Sequence, residues 1–394
     1  MSGLPKMVIV GGSLTGLTVA GLCQEECDVI ILEQNNAIYS RKHDGGMSLG
    51  AWGQKIFEKH IPAHDLLNRA IRSDRLLILS PDDDEMAPLQ KRGGVSWERT
   101  QFVPKEHRVA MTTWAAVYEV LLRNIAIESE NIWEKGNEAR PRLRLGAKVE
   151  GAQYEEGVWS ITYRSTVTNR LETETADILV AADGAYSTVR RVTSPDMAPN
   201  YEKVVAWRGR VPDEVLFQKE TEIDTEIKKG LLVWYKMRGF QYIILYAVPI
   251  LGSTSGDDDT VIEWCWYHPY EQGTDPELEA VMTTFADQER LMERRAKKWK
   301  EYLEASRTNV PKSIWEMLSR CETPWITKVI AAPLTTETTA ADAPDEDTDD
   351  EAGDQSSNMC ASLPLPARPL FAGEAYAPLP PYLGSTFEPG AEHA

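Results

Sequence analysis

The start of the chain carries a pattern of apolar and small residues that predicts a strand, a turn, a helix and a second strand. Residues 8–10 are a short apolar run, suited to a strand buried on both faces. The turn GGSLTG follows at residues 11–16, and residues 17–22 have helical potential. A second apolar run at residues 27–33 ends in an acid, Glu33. This order predicts the first βαβ unit of a parallel sheet.

The glycine-rich turn predicts a nucleotide site. A helix N-terminus directs free N–H groups and a positive dipole end at a pyrophosphate placed before it. Glu33 lies about 20 residues past the turn, the spacing of a carboxylate that accepts ribose hydroxyls, and it favours FAD or NAD over NADP. The alternative is a glycine-rich turn followed by a solvated glutamate. The candidate pyrophosphate-binding residues are Gly11, Gly12, Gly16 and Ser13, which stands where a second glycine is usual.

Farther along the chain the pattern predicts more strands and a long helix. Residues 115–125 have a helical pattern, and residues 276–306 have the pattern of one long amphipathic helix. Strand-like runs occupy residues 75–80, 93–98 and much of 200–275, and residues 142–165 alternate like an antiparallel meander. Four tryptophans at alternating or near-alternating positions suit one sheet that covers a pocket, and an aromatic core is the preferred interpretation for most of them; they are Trp207, Trp234, Trp264 and Trp266.

Composition limits the partners and the compartment. The net charge of -19 argues against nucleic acid or an anionic membrane as a partner. Five cysteines form no CxxC pair and suit free thiols in a reducing compartment. No apolar stretch approaches the roughly 18 residues of a membrane span, and a first strand near Met7 leaves no room for a signal peptide. We therefore expect a soluble cytoplasmic protein.

An acidic segment at residues 332–366 differs from the rest of the chain. It is rich in Thr, Ala, Asp, Glu, Ser and Pro and has almost no aromatic residue. Such a segment cannot bury enough apolar area to offset its ordering entropy. We expect it to be disordered.

A second motif indicates which nucleotide is bound. Residues 177–190 read DILVAADGAYSTVR, which predicts a strand, an Asp183-Gly184 turn and a helix. A plain Asp-Gly turn after a strand is common, but the flanking Asp177, Ser187 and Arg190 make the match more specific. The stretch resembles the DG motif of the flavin-dependent aromatic hydroxylases, the para-hydroxybenzoate hydroxylase class. The resemblance implies that Asp183 and Gly184 lie near the pyrophosphates of FAD and NAD(P)H.

A third fragment resembles the GD motif of the same class. Residues 368–386 read RPLFAGEAYAPLPPYLGST, with Glu374 where an aspartate is usual. In the family this acid binds a ribityl hydroxyl and the loop lines the flavin. The family continues with helices after this turn, so we expect a thinner floor under the flavin here. The cofactor candidates in this fragment are Gly373, Glu374, Pro381 and Gly384.

Other fragments resemble the dihydroxypyridine hydroxylase-like branch, among them MTTWAAVYEVLL from Met111 and PKSIWEMLSRCETPW at residues 311–325. The resemblance implies an α/β fold, with a Rossmann-like FAD-binding domain built on a parallel sheet and an inserted mixed-sheet substrate domain. The implied boundaries give three FAD-binding parts, at residues 1–74, 106–199 and 367–394. Substrate-domain strands occupy residues 75–105, the substrate domain residues 200–331, and the acidic insertion residues 332–366.

The resemblance also implies the chemistry. NADH or NADPH reduces FAD, and one oxygen atom of O2 is then transferred to an aromatic or other electron-rich small molecule. Gly46 is expected over the isoalloxazine edge, and Arg108 matches a family arginine near the FAD chain. Arg208 and Tyr235 are the catalytic candidates, because an arginine on the pocket sheet can hold a phenolate or stabilise developing charge; a surface or inter-strand pair is the alternative. A homodimer is compatible with the resemblance.

No histidine shows the spacing of a metal site, so we expect no metal; His268 is the one histidine placed to reach the pocket. Two other functions stay open from the sequence. A flavoprotein of this fold that no longer oxygenates would act as an oxidase, cyclase or isomerase, which the altered Glu374 favours. A chain that has lost FAD would serve as a partner-binding scaffold through its acidic segment.

Overall fold

The computed structural model describes most of the two sheets that the sequence predicts. The described residues are 3–38, 45–80, 100–125, 142–193, 200–211, 222–250, 260–282, 288–321, 324–331 and 368–375. The predicted disorder of residues 332–366 lies outside them, and so do Pro381, Gly384 and the predicted strand at residues 93–98.

Strands and helices are numbered in chain order within this described part. The strands are β1 (Lys6–Val10), β2 (Asp28–Glu33), β3 (Gly46–Leu49), β4 (Ile71–Ser73), β5 (Arg75–Leu79), β6 (Thr100–Phe102), β7 (Val109–Thr113), β8 (Arg142–Leu145), β9 (Ala147–Glu155), β10 (Val158–Ser165), β11 (Leu171–Ala176), β12 (Ile178–Ala181), β13 (Asn200–Arg210), β14 (Leu231–Lys236), β15 (Tyr242–Pro249), β16 (Thr260–Pro269), β17 (Trp325–Ala331) and β18 (Leu370–Phe371). The helices are α1 (Leu14–Cys23), α2 (Ala51–Lys59), α3 (His64–Arg69), α4 (Trp114–Asn124), α5 (Thr188–Thr193), α6 (Glu222–Lys228), α7 (Pro276–Met282), α8 (Gln288–Ala305) and α9 (Lys312–Ser319).

A five-stranded parallel sheet forms the first layer, in the order β18-β12-β1-β2-β8. Strands β1 and β2 are almost wholly buried, as their continuous apolar runs predict for strands covered on both faces. Helices α1 and α4 pack together on this layer, and their apolar residues join one core cluster with β1 and β2. The predicted βαβ unit and parallel sheet are confirmed.

The antiparallel meander is smaller than the sequence pattern predicts. It contains β9, β10 and β11. Strand β8 instead extends the parallel sheet beside β2, with Ile31 opposite Leu143. The reason is the turn at Gly146, whose φ of +71° directs the chain from one sheet into the other.

A seven-stranded mixed sheet forms the second layer, in the order β17-β13-β16-β15-β14-β5-β6. The predicted strand at residues 75–80 enters it as β5, parallel to β14. The predicted helix over residues 276–306 corresponds to α7 and α8, and residues 283–287 between them lie outside the described part. Among the helices of the described part, none combines the length and apolar content that crossing a membrane requires.

The two faces of the seven-stranded sheet have different roles. The face toward α8 and α9 is packed with aromatic side chains, and Trp264 stacks on Trp299 with ring centroids 4.7 Å apart. Trp207 and Trp266 are fully buried in the same cluster. The expected aromatic core is therefore confirmed for three of the four tryptophans. The opposite face carries Arg208 and is directed at the parallel-sheet layer.

His268 belongs to the aromatic face rather than to a pocket. Its ring stacks on Tyr302 with centroids 4.6 Å apart, and only 6% of the residue is exposed. The side chain does not line the cavity described below, which corrects the expectation that it reaches the pocket. Burial lowers the pKa of His268 from 6.5 to about 4, so the ring is neutral at neutral pH.

We expect His268 to make the protein acid-sensitive. Its folded pKa is below the unfolded value, so its contribution to stability is complete above pH 6.5 and is lost as pH falls toward 4. At about 1.4 kcal/mol per pH unit, this loss reaches roughly 3 kcal/mol at pH 4. Chemical denaturation between pH 4 and 7 should show a flatter curve for His268→Phe than for wild type. The exposed control His64→Gln should follow wild type; equal slopes for all three proteins would contradict the assignment.

Candidate functional site

A cavity of about 900 Å³ lies between the carboxyl ends of the parallel strands and the Arg208 face of the second sheet. This volume is at the upper end of the range for small-molecule sites. From the parallel layer the cavity is lined by Val10, Gly11, Ser13, Leu14, Thr15, Leu32, Glu33, Gln34, Ala182, Asp183, Gly184 and Glu374. From the side of the second sheet it is lined by Arg208, Met282, Leu291, Met292, Arg295, Pro324, Trp325, Ile326 and Thr327. The remaining lining residues are Gly45, Gly46 and Met47 at β3, Trp114 at the start of α4, and Ala147, Lys148 and Val149 in β9.

The turn between β1 and α1 is built for close backbone approach. Gly11 has a φ of +106°, which L-residues rarely adopt, and a Cβ there would meet the Ala182 carbonyl oxygen at 2.3 Å. A Cβ on Gly16 would lie 1.9 Å from the Gly11 carbonyl oxygen. Ser13 is the N-cap residue of α1 and lines the cavity. The first helix therefore directs its N-terminal amides toward the cavity.

Glu33 ends β2 and lies beside this turn. Only 4% of the residue is exposed, and it lines the cavity. Its Oε2 accepts the Gly12 N–H at 2.7 Å. Its Oε1 accepts the Asn35 backbone and side-chain N–H groups at 2.9 and 2.6 Å. A carboxylate has about four acceptor positions, so one further hydrogen bond is available to a ligand in the cavity.

Asp183 carries an acceptor atom that has no partner in the described part of the chain. Its Oδ2 caps α5 by accepting the N–H groups of Thr188 at 2.7 Å and Val189 at 3.3 Å. Its Oδ1 is buried, has no hydrogen-bond partner within the described residues, and belongs to a residue that lines the cavity. Burial raises the pKa of Asp183, and its hydrogen bonds oppose that rise. Such an acceptor suits a ligand that brings a hydroxyl or N–H group.

Arg190 connects the two motif segments. Its guanidinium donates to the carbonyl oxygens of Ala375 at 2.5 Å and Glu374 at 3.3 Å, and also to that of Ala185. The residue is 3% exposed. The helix that follows Asp183 therefore holds the short turn that contains Glu374.

The turn at residues 373–375 lies directly against the start of α1. Gly373 has a φ of +58°, and a Cβ there would meet Thr15 Oγ1 at 2.4 Å. Glu374 follows with its exposed surface on the cavity that it lines. The surrounding protein raises the pKa of the Glu374 carboxyl by desolvation, and the charge of Arg208 opposes this rise.

Arg208 brings a fixed positive charge to the other wall. Burial disfavours this charge, but the electrostatic influence of Cys265, Tyr267, Tyr246 and Glu263 outweighs it and raises the pKa of Arg208 above its ordinary value. Its Nε is buried without a hydrogen-bond partner among the described residues. Arg208 therefore stays protonated and has a donor available for an anionic or carbonyl group in the cavity.

Comparison with known proteins gives one family model and one curated relative. The model of the FAD binding domain-like family matches residues 201–331. The FAD-dependent monooxygenase penE of Penicillium thymicola is 27% identical over 195 residues, which cover 47% of this chain and 34% of that protein. The chain thus spans about a third of the length of this curated relative.

Solved structures match over almost the whole chain. The 2,6-dihydroxypyridine-3-hydroxylase of Arthrobacter nicotinovorans matches 99% of this chain and 81% of its own, with a TM-score of 0.63 and 16% identity. This chain has the fold of the FAD-dependent aromatic hydroxylases. A salicylate hydroxylase substrate complex matches 100% of this chain and 77% of its own, with a TM-score of 0.59 and 13% identity. Klebsiella pneumoniae HpxO complexed with FAD and uric acid matches 100% of this chain and 78% of its own, with a TM-score of 0.59 and 15% identity.

Within this aromatic hydroxylase fold, two predicted site residues lie away from the cavity. Tyr235 is on the aromatic face of the second sheet, where its hydroxyl donates to the Asn309 carbonyl at 3.0 Å. Its catalytic assignment is corrected, because alternate residues of a strand point to opposite faces. Arg108 follows a short 3₁₀ turn, donates to the Val103 carbonyl at 3.1 Å and does not line the cavity. Its proximity to FAD stays a prediction.

Sequence reasoning missed several groups that shape the cavity of this hydroxylase fold. Trp325 ends a fragment that resembles the family, but the fragment does not indicate that Trp325 lines the cavity on the strand next to Arg208. Arg295 and Met282 come from α8 and α7, whose amphipathic pattern predicts a packed face but gives no indication of a cavity. Glu263 stands in a run of aromatic residues and carries no recognisable motif.

Proposed function

We propose that the chain is an FAD-dependent monooxygenase that hydroxylates an aromatic or other electron-rich small molecule with NADH or NADPH and O2. One observation carries the proposal: a single cavity joins the glycine turn, Asp183 and Glu374 to the cationic Arg208 on the second sheet, and Asp183 Oδ1 has no hydrogen-bond partner among the described residues. The fold is that of FAD-dependent hydroxylases, and solved members include complexes with FAD.

The residues that line the parallel-sheet side fit FAD. We assign the pyrophosphate to the N-terminus of α1, at Gly11, Gly12, Ser13 and Gly16. Glu33 would accept an adenosine ribose hydroxyl through its remaining acceptor position. Asp183 and Gly184 would hold the middle of the cofactor, and Gly373 and Glu374 its ribityl chain. FAD supplies the hydride acceptance and the oxygen activation that no protein side chain supplies.

The other wall would bind the substrate and exclude water. Met282, Leu291 and Trp325 give this wall an apolar surface that suits a flat ring. Arg208 would hold the substrate hydroxyl as its anion, which makes the ring more electron-rich. Water exclusion would strengthen this ion pair and limit side reactions with solvent.

The compartment is a smaller part of the proposal. Within the described residues, Cys23, Cys27, Cys265 and Cys321 form no disulfide. Free thiols suit a reducing compartment, and this supports the cytoplasm.

Turnover of purified protein tests the function. The protein would be reconstituted with FAD and supplied with NADH or NADPH in air, with a panel of phenols and hydroxylated heterocycles. We expect oxygen uptake that depends on the ring compound, and a product heavier by one oxygen atom in mass spectrometry. A yellow protein that makes hydrogen peroxide and no oxygenated product would instead support the oxidase alternative, and a protein with no affinity for FAD the scaffold alternative.

Glu33→Ala is expected to weaken FAD binding by about 1.5–3 kcal/mol, the value of hydrogen bonds to a charged group. The change removes the ribose acceptor and also leaves the Gly12 N–H without its partner. Titration of apoprotein followed by flavin fluorescence measures the effect. Glu150→Gln, in an exposed ion pair with Arg164, is the control and should bind as wild type. Unchanged affinity of the Glu33 variant would refute the ribose assignment.

Glu374→Asp is expected to tighten FAD binding and raise the fraction of NAD(P)H oxidation that yields product. The aspartate carboxylate is one methylene shorter, and a misplacement of about 1 Å can cost on the order of a hundredfold in rate. The ratio of product formed to NAD(P)H consumed measures this coupling. Wild-type protein that already holds stoichiometric FAD and couples fully would show that the longer side chain is no handicap.

A further inference from the structure

A buried carboxylate lies behind the cavity wall and is not explained by the chemistry above. Glu263 is on β16, is 1% exposed and does not itself line the cavity. Its Oε1 accepts from the Arg210 guanidinium, with Nε at 2.9 Å. Its Oε2 accepts the Gly46 N–H at 2.6 Å and the Tyr246 hydroxyl at 3.4 Å. One side chain therefore joins β13, β15 and β16 of the second sheet to β3.

Gly46 is the point where this carboxylate meets the cavity. It begins β3, which belongs to a different sheet from Glu263, and it lines the cavity. A Cβ on Gly46 would meet Glu263 Oε2 at 2.5 Å and Tyr246 Cε2 at 2.6 Å. The backbone at Gly46 is therefore pressed between the second sheet and the cavity, and only glycine allows this packing.

Burial of the Glu263 charge costs desolvation free energy, so its presence calls for a specific role. An apolar residue of similar size often stabilises a protein as well as a buried ion pair does or better. A charged acceptor, however, makes a stronger hydrogen bond to a backbone N–H than a neutral one. The Glu263 charge also acts on Arg208, which in turn acts on Glu374. The four neighbouring charges therefore alternate in sign: Arg210 is positive, Glu263 negative, Arg208 positive and Glu374 negative.

We propose that Glu263 is a positioning residue of the cofactor site: by accepting the Gly46 N–H, it fixes the backbone wall against which the flavin ring lies. The inference rests on the proposed function, because it takes the flavin ring to be the ligand at Gly46. It goes beyond that function because it assigns a role to a residue that touches neither cofactor nor substrate.

A purely stabilising ion pair is the competing explanation, and the chain offers a matched control for it. Glu226 on α6 is 13% exposed at its side chain and pairs with Arg75 of β5 at 2.8 Å, in the same domain. Its described partners, Arg75 and Lys229, do not line the cavity. Glu226→Gln therefore removes a comparable ion pair without touching Gly46.

The experiment compares Glu263→Gln, Glu263→Asp and Glu226→Gln with wild type. The readouts are the FAD dissociation constant, the visible absorption spectrum of bound FAD, the melting temperature, and hydrogen–deuterium exchange of the peptide at residues 45–50. For both Glu263 variants we expect at least about a tenfold rise in the dissociation constant, a shifted flavin spectrum and at least about tenfold faster exchange near Gly46. Glu226→Gln should lower the melting temperature and leave the other three readouts at wild-type values.

Glu263→Asp keeps the charge opposite Arg210 and ends one methylene short of Gly46, so it decides the question if Glu263→Gln does not fold. Wild-type affinity, spectrum and exchange in the Glu263 variants would overturn the inference. So would equal changes in the Glu226 variant. If wild-type protein binds no FAD, the proposed function fails, and exchange at residues 45–50 in the unliganded proteins still decides whether Glu263 holds Gly46.

Discussion

Replacement of Gly16 by Ala is expected to remove tight FAD binding and to destabilise the fold by roughly 3 kcal/mol or more, the upper range for overpacking. The new Cβ would lie 1.9 Å from the Gly11 carbonyl oxygen and 3.3 Å from Ile9 Cγ2. Gly11 is itself in a crowded place, because a Cβ there would lie 2.3 Å from the Ala182 carbonyl oxygen. Helix α1 must therefore move away from β1, and its N-terminal amides lose their position over the pyrophosphate.

Fluorescence titration with FAD and chemical denaturation measure the two effects. Gly151→Ala is the control: Gly151 lies in β9, and a Cβ there meets no atom within 4 Å. It should leave both affinity and stability within error of wild type. If Gly16→Ala bound FAD as tightly as Gly151→Ala does, the turn would not be the pyrophosphate site.

Arg190→Ala is expected to cost about 3–5 kcal/mol of folding stability and to lower FAD affinity strongly. Three carbonyl oxygens lose their donor: that of Ala375 is buried, and those of Ala185 and Glu374 are partly buried. Each unsatisfied buried group costs about 1–3 kcal/mol. The turn that carries Glu374 then loses the hydrogen bonds that fix it in the cavity wall.

Arg190→Lys separates charge from geometry. A lysine keeps the positive charge but cannot donate to three carbonyls from one planar group, so we expect it to restore only part of the stability. Denaturant midpoints for both variants give the measurement, and Arg164→Ala, from an exposed ion pair, serves as the control. Equal stability of Arg190→Ala and Arg164→Ala would contradict the proposed connection.

Local chemistry explains why the geometry of the β1–α1 turn, part of the proposed cofactor site, could be predicted from sequence. The turn at residues 11–16 requires glycine where the backbone is left-handed, at Gly11, and where it is crowded, at Gly16. Both positions lie within six residues of the chain. Glu33 follows from the length of one helix and one strand. The parallel sheet follows from continuous apolar runs. Each of these features depends on neighbours in the chain, so the sequence pattern contains them.

Long-range contacts explain why the other half could not be predicted. Glu263 and Gly46 are 217 residues apart, and Arg190 and Ala375 are 185 apart. No spacing rule connects such pairs. The error at Tyr235 has a similar origin, since the sequence indicates a strand but not which face of the sheet will cover the cavity. Strand β8 was misassigned because a parallel edge strand and a meander strand share the same alternating pattern.

The position of β18 in the parallel sheet has a consequence for biosynthesis. Residues Leu370–Phe371 pair with β12, whose strand was made about 190 residues earlier. All strands of the seven-stranded sheet lie between residues 75 and 331, so that sheet can close while the ribosome is still translating. The turn with Glu374 emerges only afterwards. The cavity of the nascent chain therefore stays incomplete until this turn has been made. We expect FAD to bind late in the maturation of the protein.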